Sequence, residues 1–397
     1  MNNLERFKRV CKGLEVDYTP ILGLPGAAGV SRGCMRTVHK HLVEQGMPEW
    51  VDGCYSLDNY NGSETWQRYW GTLIPIDAVF CPAEGPLDFS LPAATNKKGI
   101  KKTKRIESEF EIIESETGAV TRQVIDNSIT YSMPEFLSYD VRDMTSWQFF
   151  RDHATPHSRW SDEQIQARCA QYKERERPLC LKVGSTWGTV RDLMGPERAC
   201  TILYDEPDLA REIIEWESWL RKEYLFPMIE ILRPEIICCH EDNCYNHGMM
   251  ISPRHFAEFC APYYRQICQV AADCGCDMVA MDSDGNITQL VELAAECGIN
   301  ALYPCEVKAN NDLFELRKKY PKFIFVGWLE KECLNVGNEH LIEQEILGKV
   351  PALLSKGYYF PNGDHGIQPL VSFDNMRKFM TLLHEVTKNP EGEFERV

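Results

Sequence analysis

The chain has 397 residues, with 43 lysines and arginines against 59 aspartates and glutamates, a formal net charge of −16, and 44% hydrophobic residues. That length fits one α/β barrel with an insertion, or two to three smaller domains, and the apolar share can fill a large core. The acidic balance argues against a nucleic-acid binder, which would more often be basic, and no apolar run approaches the ~20 residues of a membrane span.

The opening MNNLERFKRV is charged and has no apolar signal core. The 17 cysteines therefore read as reduced thiols of a cytoplasmic protein, in keeping with an anaerobe, rather than as a disulfide framework. In chain order, the strand-like runs are YTPILGLP (18–25), PIDAVFCP (75–82), PLCLKVG (178–184), EIICCHED (235–242), DMVAMDSD (277–284), NALYPCEV (300–307), KFIFVGWL (322–329) and GYYFPNGD (357–364). From 178 onward a helical pattern follows nearly every run, which predicts parallel strands with helical crossovers. Eight such runs are the number that closes a (β/α)8 TIM barrel. We expect a single barrel domain over 1–397, interrupted at about 84–140. There the charged stretch 98–132, with a turn at Glu116-Thr117-Gly118, reads as an inserted β-hairpin or small sheet of the kind that forms lids or substrate walls.

The glycine-rich loop GLPGAAGVSRG (23–33) follows the first run without GxGxxG spacing, so its glycines read as letting the backbone pass closely over a pocket. Ser252 before Pro253 predicts a helix start. Phe256, Phe259, Tyr263, Ile267, Val270 and Cys274 then recur at three and four. Ser372, followed by Phe373, Met376, Met380 and Leu383, repeats the arrangement. Cys238, Cys239, His240, Glu241, Asp242 and Cys244, with His247 behind, form one dense cluster without the second ligand pair a structural zinc site uses. Buried thiols on a strand are the preferred reading. Cys274-Gly-Cys276 lacks the CxxC spacing of a redox motif.

In parallel barrels the active site lies at the C-terminal ends of the strands. The last residues of the runs are His240 and Glu241, Asp282 and Asp284, Glu306, Trp328, and Asn362, Asp364 and His365. Residues two apart on a strand share a face, so Asp282 and Asp284 can point one way. Each has a plain alternative: Asp284-Gly285-Asn286 could be a turn and helix cap, and Glu241 could pair with a loop arginine. Convergent carboxylates with a histidine can bind a divalent metal, hold and deliver a proton at raised pKa, or hydrogen-bond a phenol or amine.

DYTP near the start, GMMISPRHFAEFCAPYYRQI, the strand with MDSDGNI and the ending GYYFPNGDHGIQPLVSFDNM resemble the uroporphyrinogen decarboxylase superfamily, which includes corrinoid-dependent methyltransferases. The likeness spans nearly the whole chain and implies a distorted (β/α)8 barrel. Asp364-His365-Gly366 resembles the decarboxylases' glycine–histidine–glycine turn. The loop at 23–33 departs from them: it holds only Arg32, with Arg36 behind, where a porphyrinogen's carboxylates need arginine clamps. The thiol methyltransferase branch has a His-x-Cys zinc motif and a later Cys, at places here resembling Asp282, Asp284 and Asp364. The chain looks most like the methyl-donor component of veratrol- and vanillate-type O-demethylases, in which a methyl group passes from an aryl methyl ether to cobalt(I) of a partner corrinoid protein and a phenol is released.

On that resemblance, Asp282, Asp284, His365 and Glu241 are the expected catalytic residues, with Asp282 and Asp284 at the ether oxygen. Trp328, Tyr358, Tyr359, Asn362 and Glu306 are expected to line the substrate. The candidate metal ligands are Glu241, Asp282, Asp284, Asp364 and His365, with zinc as the metal. The family's Glu and His ligand spacing is roughly followed by Glu330, Glu345 and His365, although Glu345 falls within a helical stretch at 340–355. A methoxylated aromatic and a corrinoid protein are the expected partners, and a homodimer is compatible. The rival readings are uroporphyrinogen decarboxylase or a related decarboxylase, and a non-catalytic corrinoid-binding module. Against the latter, the DxHxxG signature is absent, His365 standing in DHGIQP instead.

Overall fold

In the computed structural model, which describes residues 1–25, 30–52, 54–55, 63–78, 102–125, 134–155 and 161–397, seven of the apolar runs become strands of one sheet. They are β1 (Ile76–Asp77), β2 (Leu179–Gly184), β3 (Ile236–His240), β4 (Met278–Ser283), β5 (Ala301–Pro304), β6 (Ile324–Leu329) and β7 (Tyr359–Gly363). Each pairs in parallel with the next in chain order. The remaining run contributes a parallel bridge between Leu22 and Leu73 at the β1 edge. At the opposite edge Asn362 of β7 donates from Nδ2 to the Ser31 hydroxyl at 2.6 Å and to the Leu22 carbonyl at 3.4 Å. The result is a curled parallel sheet consistent with a (β/α)8 barrel.

Side-chain alternation divides the sheet into two cores. Cys180, Cys238, Met278, Ala280, Val326 and Phe360 pack on the concave side with Leu22 and Leu24, and with Phe7 and Val10 of the helix Asn3–Cys11. Their neighbours Leu181, Val183, Cys239, Met281, Phe325 and Tyr359 face the helical layer. Cys238 and Cys239 are therefore buried on opposite faces, and no disulfide joins any of the described cysteines. Among the described residues no helix is long and apolar enough to cross a membrane.

Helices follow β2 through β7. The Ser252 hydroxyl accepts from the His255 N–H at 3.2 Å, and the chain stays helical to Asp273 with a π-type turn at Phe256–Cys260. One extra residue in that turn rotates the buried stripe, so Cys260, Tyr264 and Cys268 join Phe256, Phe259, Tyr263 and Ile267 in the core. Ser372 caps Phe373–Thr387, accepting from the Asn375 N–H at 3.3 Å, and Phe373, Met376, Met380 and Leu383 are buried. Between β1 and β2 the chain forms an antiparallel sheet of Lys102–Glu107, Phe110–Ser115, Val120–Val124 and Glu135–Ser138. The remainder of the 84–140 segment, at 84–101 and 126–133, lies outside the described residues, as do residues 26–29 of the glycine-rich loop and the end of the 75–82 run.

Gly327 in β6 has φ +108°, and a Cβ there would lie 1.9 Å from the Pro304 carbonyl oxygen of β5. Two backbones meet at that point, and neither can retreat without breaking the ladder. Gly327→Ala is expected to lower unfolding free energy by about 2–3 kcal/mol or more, read as a reduced urea midpoint.

Candidate active site

The alternation that buries Cys238 and Ala280 on the concave side carries His240 and Asp282 to the same side, one step nearer the C-terminal ends, where β3 and β4 hold them in register. His240 Nδ1 lies 2.7 Å from Asp282 Oδ2. The Asp282 carboxylate is only 7% exposed, whereas the His240 side chain is 44% exposed. Burial pushes the Asp282 carboxyl up to about 6, against the opposing pull of His240. Burial alone would lower His240, but the Asp282 charge and hydrogen bond override it and hold the imidazole up to about 9. The pair is therefore ionic at neutral pH, with Nδ1 committed to Asp282 and Nε2 left for the opening. The His240 contribution to folding is complete below its ordinary pKa of about 6.5 and is lost as pH rises through about 9.

Asp284, two residues on, takes a different partner. His365, beyond β7, places Nε2 3.5 Å from Asp284 Oδ1. Asp284 stays below the ordinary carboxylate range because His365, and then His240 and Lys331, outweigh burial. His365 is held up to about 9, the Asp284 hydrogen bond and charge outweighing burial. Around these pairs, Arg191 meets Asp242 at 2.5 Å, and Lys331 meets Glu306 at 3.3 Å. The Glu306 carboxylate also accepts from the Gly285 N–H at 2.9 Å, which ties the β5 end to the turn after β4. Arg191 and Lys331 were not singled out from the sequence, and Asp242 was read only as part of the cysteine-rich cluster; only their place near strand ends could have marked them.

Several expected site residues lie elsewhere. Glu241 follows an inward residue and so points outward, where it is fully buried. Its carboxylate accepts from the Thr186 and Trp187 N–H groups, each at 2.9 Å, from the Gly188 N–H at 3.3 Å, and from the hydroxyls of Thr186 and Tyr264. It caps the helix Trp187–Met194. Asp364 is also fully buried and accepts from the N–H groups of Val307 at 2.8 Å and Lys331 at 3.0 Å, burial raising its carboxyl to about 6. Asn362 is a tie between strands.

Trp328, which follows Gly327, has φ +69°. The left-handed backbone turns its indole into the outer layer, where Nε1 donates to the Asn311 carbonyl at 2.7 Å and Phe314 packs edge-on. Tyr359 points outward and donates to the Gly327 carbonyl at 2.8 Å. Tyr358 stands before β7, its ring against Gly13 at the N-terminal end of the barrel. None of these three aromatics stands at the mouth as a ring-stacking residue.

The proposed metal ligands do not fit a shared ion. Glu241 and Asp364 are occupied by backbone donors, and Asp282 and Asp284 each meet a separate imidazole. Among the described residues no three His, Cys, Asp or Glu side chains are grouped to hold a metal. Glu345 does lie in a helix, Glu339–Leu354. Its carboxylate accepts from the Glu330 N–H at 2.7 Å and pairs with Lys349 at 2.6 Å, away from His365's partner.

Residues 157–386 match the family model described as Uroporphyrinogen decarboxylase (URO-D), more than half of the chain. The chain belongs to the uroporphyrinogen decarboxylase family. Among solved structures, a methyltransferase from Methanosarcina mazei is similar over 98% of this chain and 98% of its own, at 14% identity and a TM-score of 0.53, a likeness of fold. No curated protein matches the chain.

In this family member Glu241 stabilises, while its chain neighbour His240 faces the opening. Glu241→Gln is expected to lower unfolding free energy by about 2–3 kcal/mol, since a buried amide cannot satisfy the same set of donors. The His240 imidazole titration, followed by NMR, should be unchanged in that variant.

Proposed function

We propose that the protein is an enzyme that transfers a methyl group from an aryl methyl ether to cobalt(I) of a corrinoid carried by a partner protein, releasing a phenol. The observation that carries this reading is the half-exposed imidazolium of His240, backed by the buried Asp282 carboxylate at 2.7 Å. The fold shared with a methyltransferase and membership of a family built on this barrel support it.

Breaking the methyl–oxygen bond leaves the electron pair on oxygen, and the difficulty lies in expelling a phenolate. His240 donates the proton from Nε2 to that oxygen as the methyl carbon bonds to cobalt. An acid near 9 is well matched to a phenol with a pKa of about 10. Asp282 is a positioning residue in this scheme: it fixes the imidazole tautomer and keeps it charged. In this scheme the proton for the ether oxygen comes from His240, and Asp282 acts through it. Asp284 and His365 form a second polar pair at the mouth that can hydrogen-bond the ring's oxygen substituents.

Single-turnover methyl transfer to a cobalt(I) corrinoid, measured across pH, tests the assignment. The rate should be flat between limbs near 6 and 9, the macroscopic values of the pair. His240→Gln should cost about a hundredfold or more, on the scale of a lost general acid, and should remove the alkaline limb. Asp282→Asn should move that limb down toward the ordinary imidazole value of about 6.5. An unchanged alkaline limb in both variants would show that the acid lies elsewhere.

Family membership keeps decarboxylation of a porphyrinogen as the second reading. Against it, the buried Arg32 is occupied by Asp77 at 2.5 Å and by the Gly23 carbonyl at 3.0 Å, so it is not available as a clamp for substrate carboxylates. Incubation with uroporphyrinogen is expected to yield no coproporphyrin fluorescence.

A further inference from the structure

We propose that Lys182 anchors an anionic group of the substrate, a carboxylate on the aromatic ring, inside the barrel; this rests on the methyl-transfer reading and names its substrate class. Lys182 belongs to β2, where Leu179, Leu181 and Val183 face the helices and Cys180 faces the concave core. By alternation Lys182 shares the concave side with Cys180, and its charge acts on the Cys180 thiol. In register it pairs with Cys238 of β3, the inward residue two before His240. The two α-carbons are thus one strand and two residues apart, roughly 8 Å, which is commensurate with a ring bearing a carboxylate at one end and a methoxy group at the other.

Among the described residues, three other inward acids of this region each meet a cation. Asp77 meets Arg32 at 2.5 Å, Asp282 meets His240, and Asp284 meets His365. Lys182 is partly buried, and among the described residues its ammonium has neither a hydrogen bond nor an ion pair. An inward ammonium with no partner among the described residues is free to take a substrate carboxylate as its counter-ion. A lysine whose stem merely lies along the wall, with its ammonium in water, would make no such selection. The two cases therefore differ in ligand preference.

Calorimetric titration of the full chain with 4-hydroxybenzoate and with phenol separates them without corrinoid or methyl donor. The expected result is that 4-hydroxybenzoate binds about tenfold or more tightly than phenol, as a charge-assisted hydrogen bond provides. Lys182→Met should abolish that preference while phenol affinity and the circular dichroism spectrum stay unchanged, and Lys182→Arg should restore most of it. Equal affinities for the two ligands in the unaltered protein, a preference that survives in Lys182→Met, or no binding of 4-hydroxybenzoate would each overturn the proposal. Its failure is distinct from that of the methyl-transfer reading. A Lys182-dependent preference without cobalt methylation by any methoxybenzoate would sink that reading and leave the anion site. Cobalt methylation from neutral methoxybenzene, undiminished in Lys182→Met and unmatched by methoxybenzoate, would do the reverse.

Discussion

A carboxylate withdrawn from water needs a cation or a set of N–H donors at once, because burial penalises its charged form by several kcal/mol. That requirement organises the mouth of this barrel. Asp282 and Asp284 emerge from one strand on one side, so each raises the cost of ionising the other. One imidazole does not serve both. His240 reaches Asp282 from the neighbouring strand, and His365 reaches Asp284 from beyond the last strand, so the geometry exists only once the sheet has curled enough to bring β7 round to β4. Asp282 remains raised to about 6 even with its partner in contact. With the carboxyl near 6 and the imidazole near 9, the proton stays on His240 at neutral pH and the imidazole remains charged.

The same requirement explains why neighbouring acids have opposite employment. Glu241 adjoins His240 in the chain, yet it is turned outward to the first turn of the helix Trp187–Met194, where five donors from Thr186, Trp187, Gly188 and Tyr264 close around it. One of those donors stands beyond the π-type turn of the following helix, so the irregularity places a tyrosine hydroxyl where the carboxylate needs it. Asp364 does comparable work just after β7 through the N–H groups of Val307 and Lys331. Stabilising acids and acids that face the barrel mouth thus alternate along the same strand ends, and titratable groups of the same type have different fates.

Much of the layout was legible beforehand. Seven of the eight apolar runs are strands of the parallel sheet and the eighth carries the Leu22–Leu73 bridge. Both Ser N-caps are in place, because caps and periodicity are local properties. Asp282, Asp284 and His365 meet charged partners at the strand ends, where polar residues interrupt apolar runs. The choice between His240 and Glu241 was not legible. β3 reads IICCH, apolar on both faces, and without a polar alternation nothing in the run says which residue is inward. The aromatics misled for a related reason. Counting by twos along β6 points Trp328 inward, but the left-handed backbone after Gly327 rotates it out, and Tyr358 precedes its strand by enough to close the opposite end.

Composition, period and capping residues were sufficient for the elements, their order and the parallel connections, since each follows from which side chains avoid water and which backbone groups need a partner nearby. Which acid faces the opening, which imidazole meets it, and that Lys182 faces the concave side with no counter-ion among the described residues were decided by the curled sheet alone. Those facts depend on strand register and on contacts between residues 42 to 81 positions apart in the chain, and no local pattern encodes the distance between two charges that meet only after the barrel has formed.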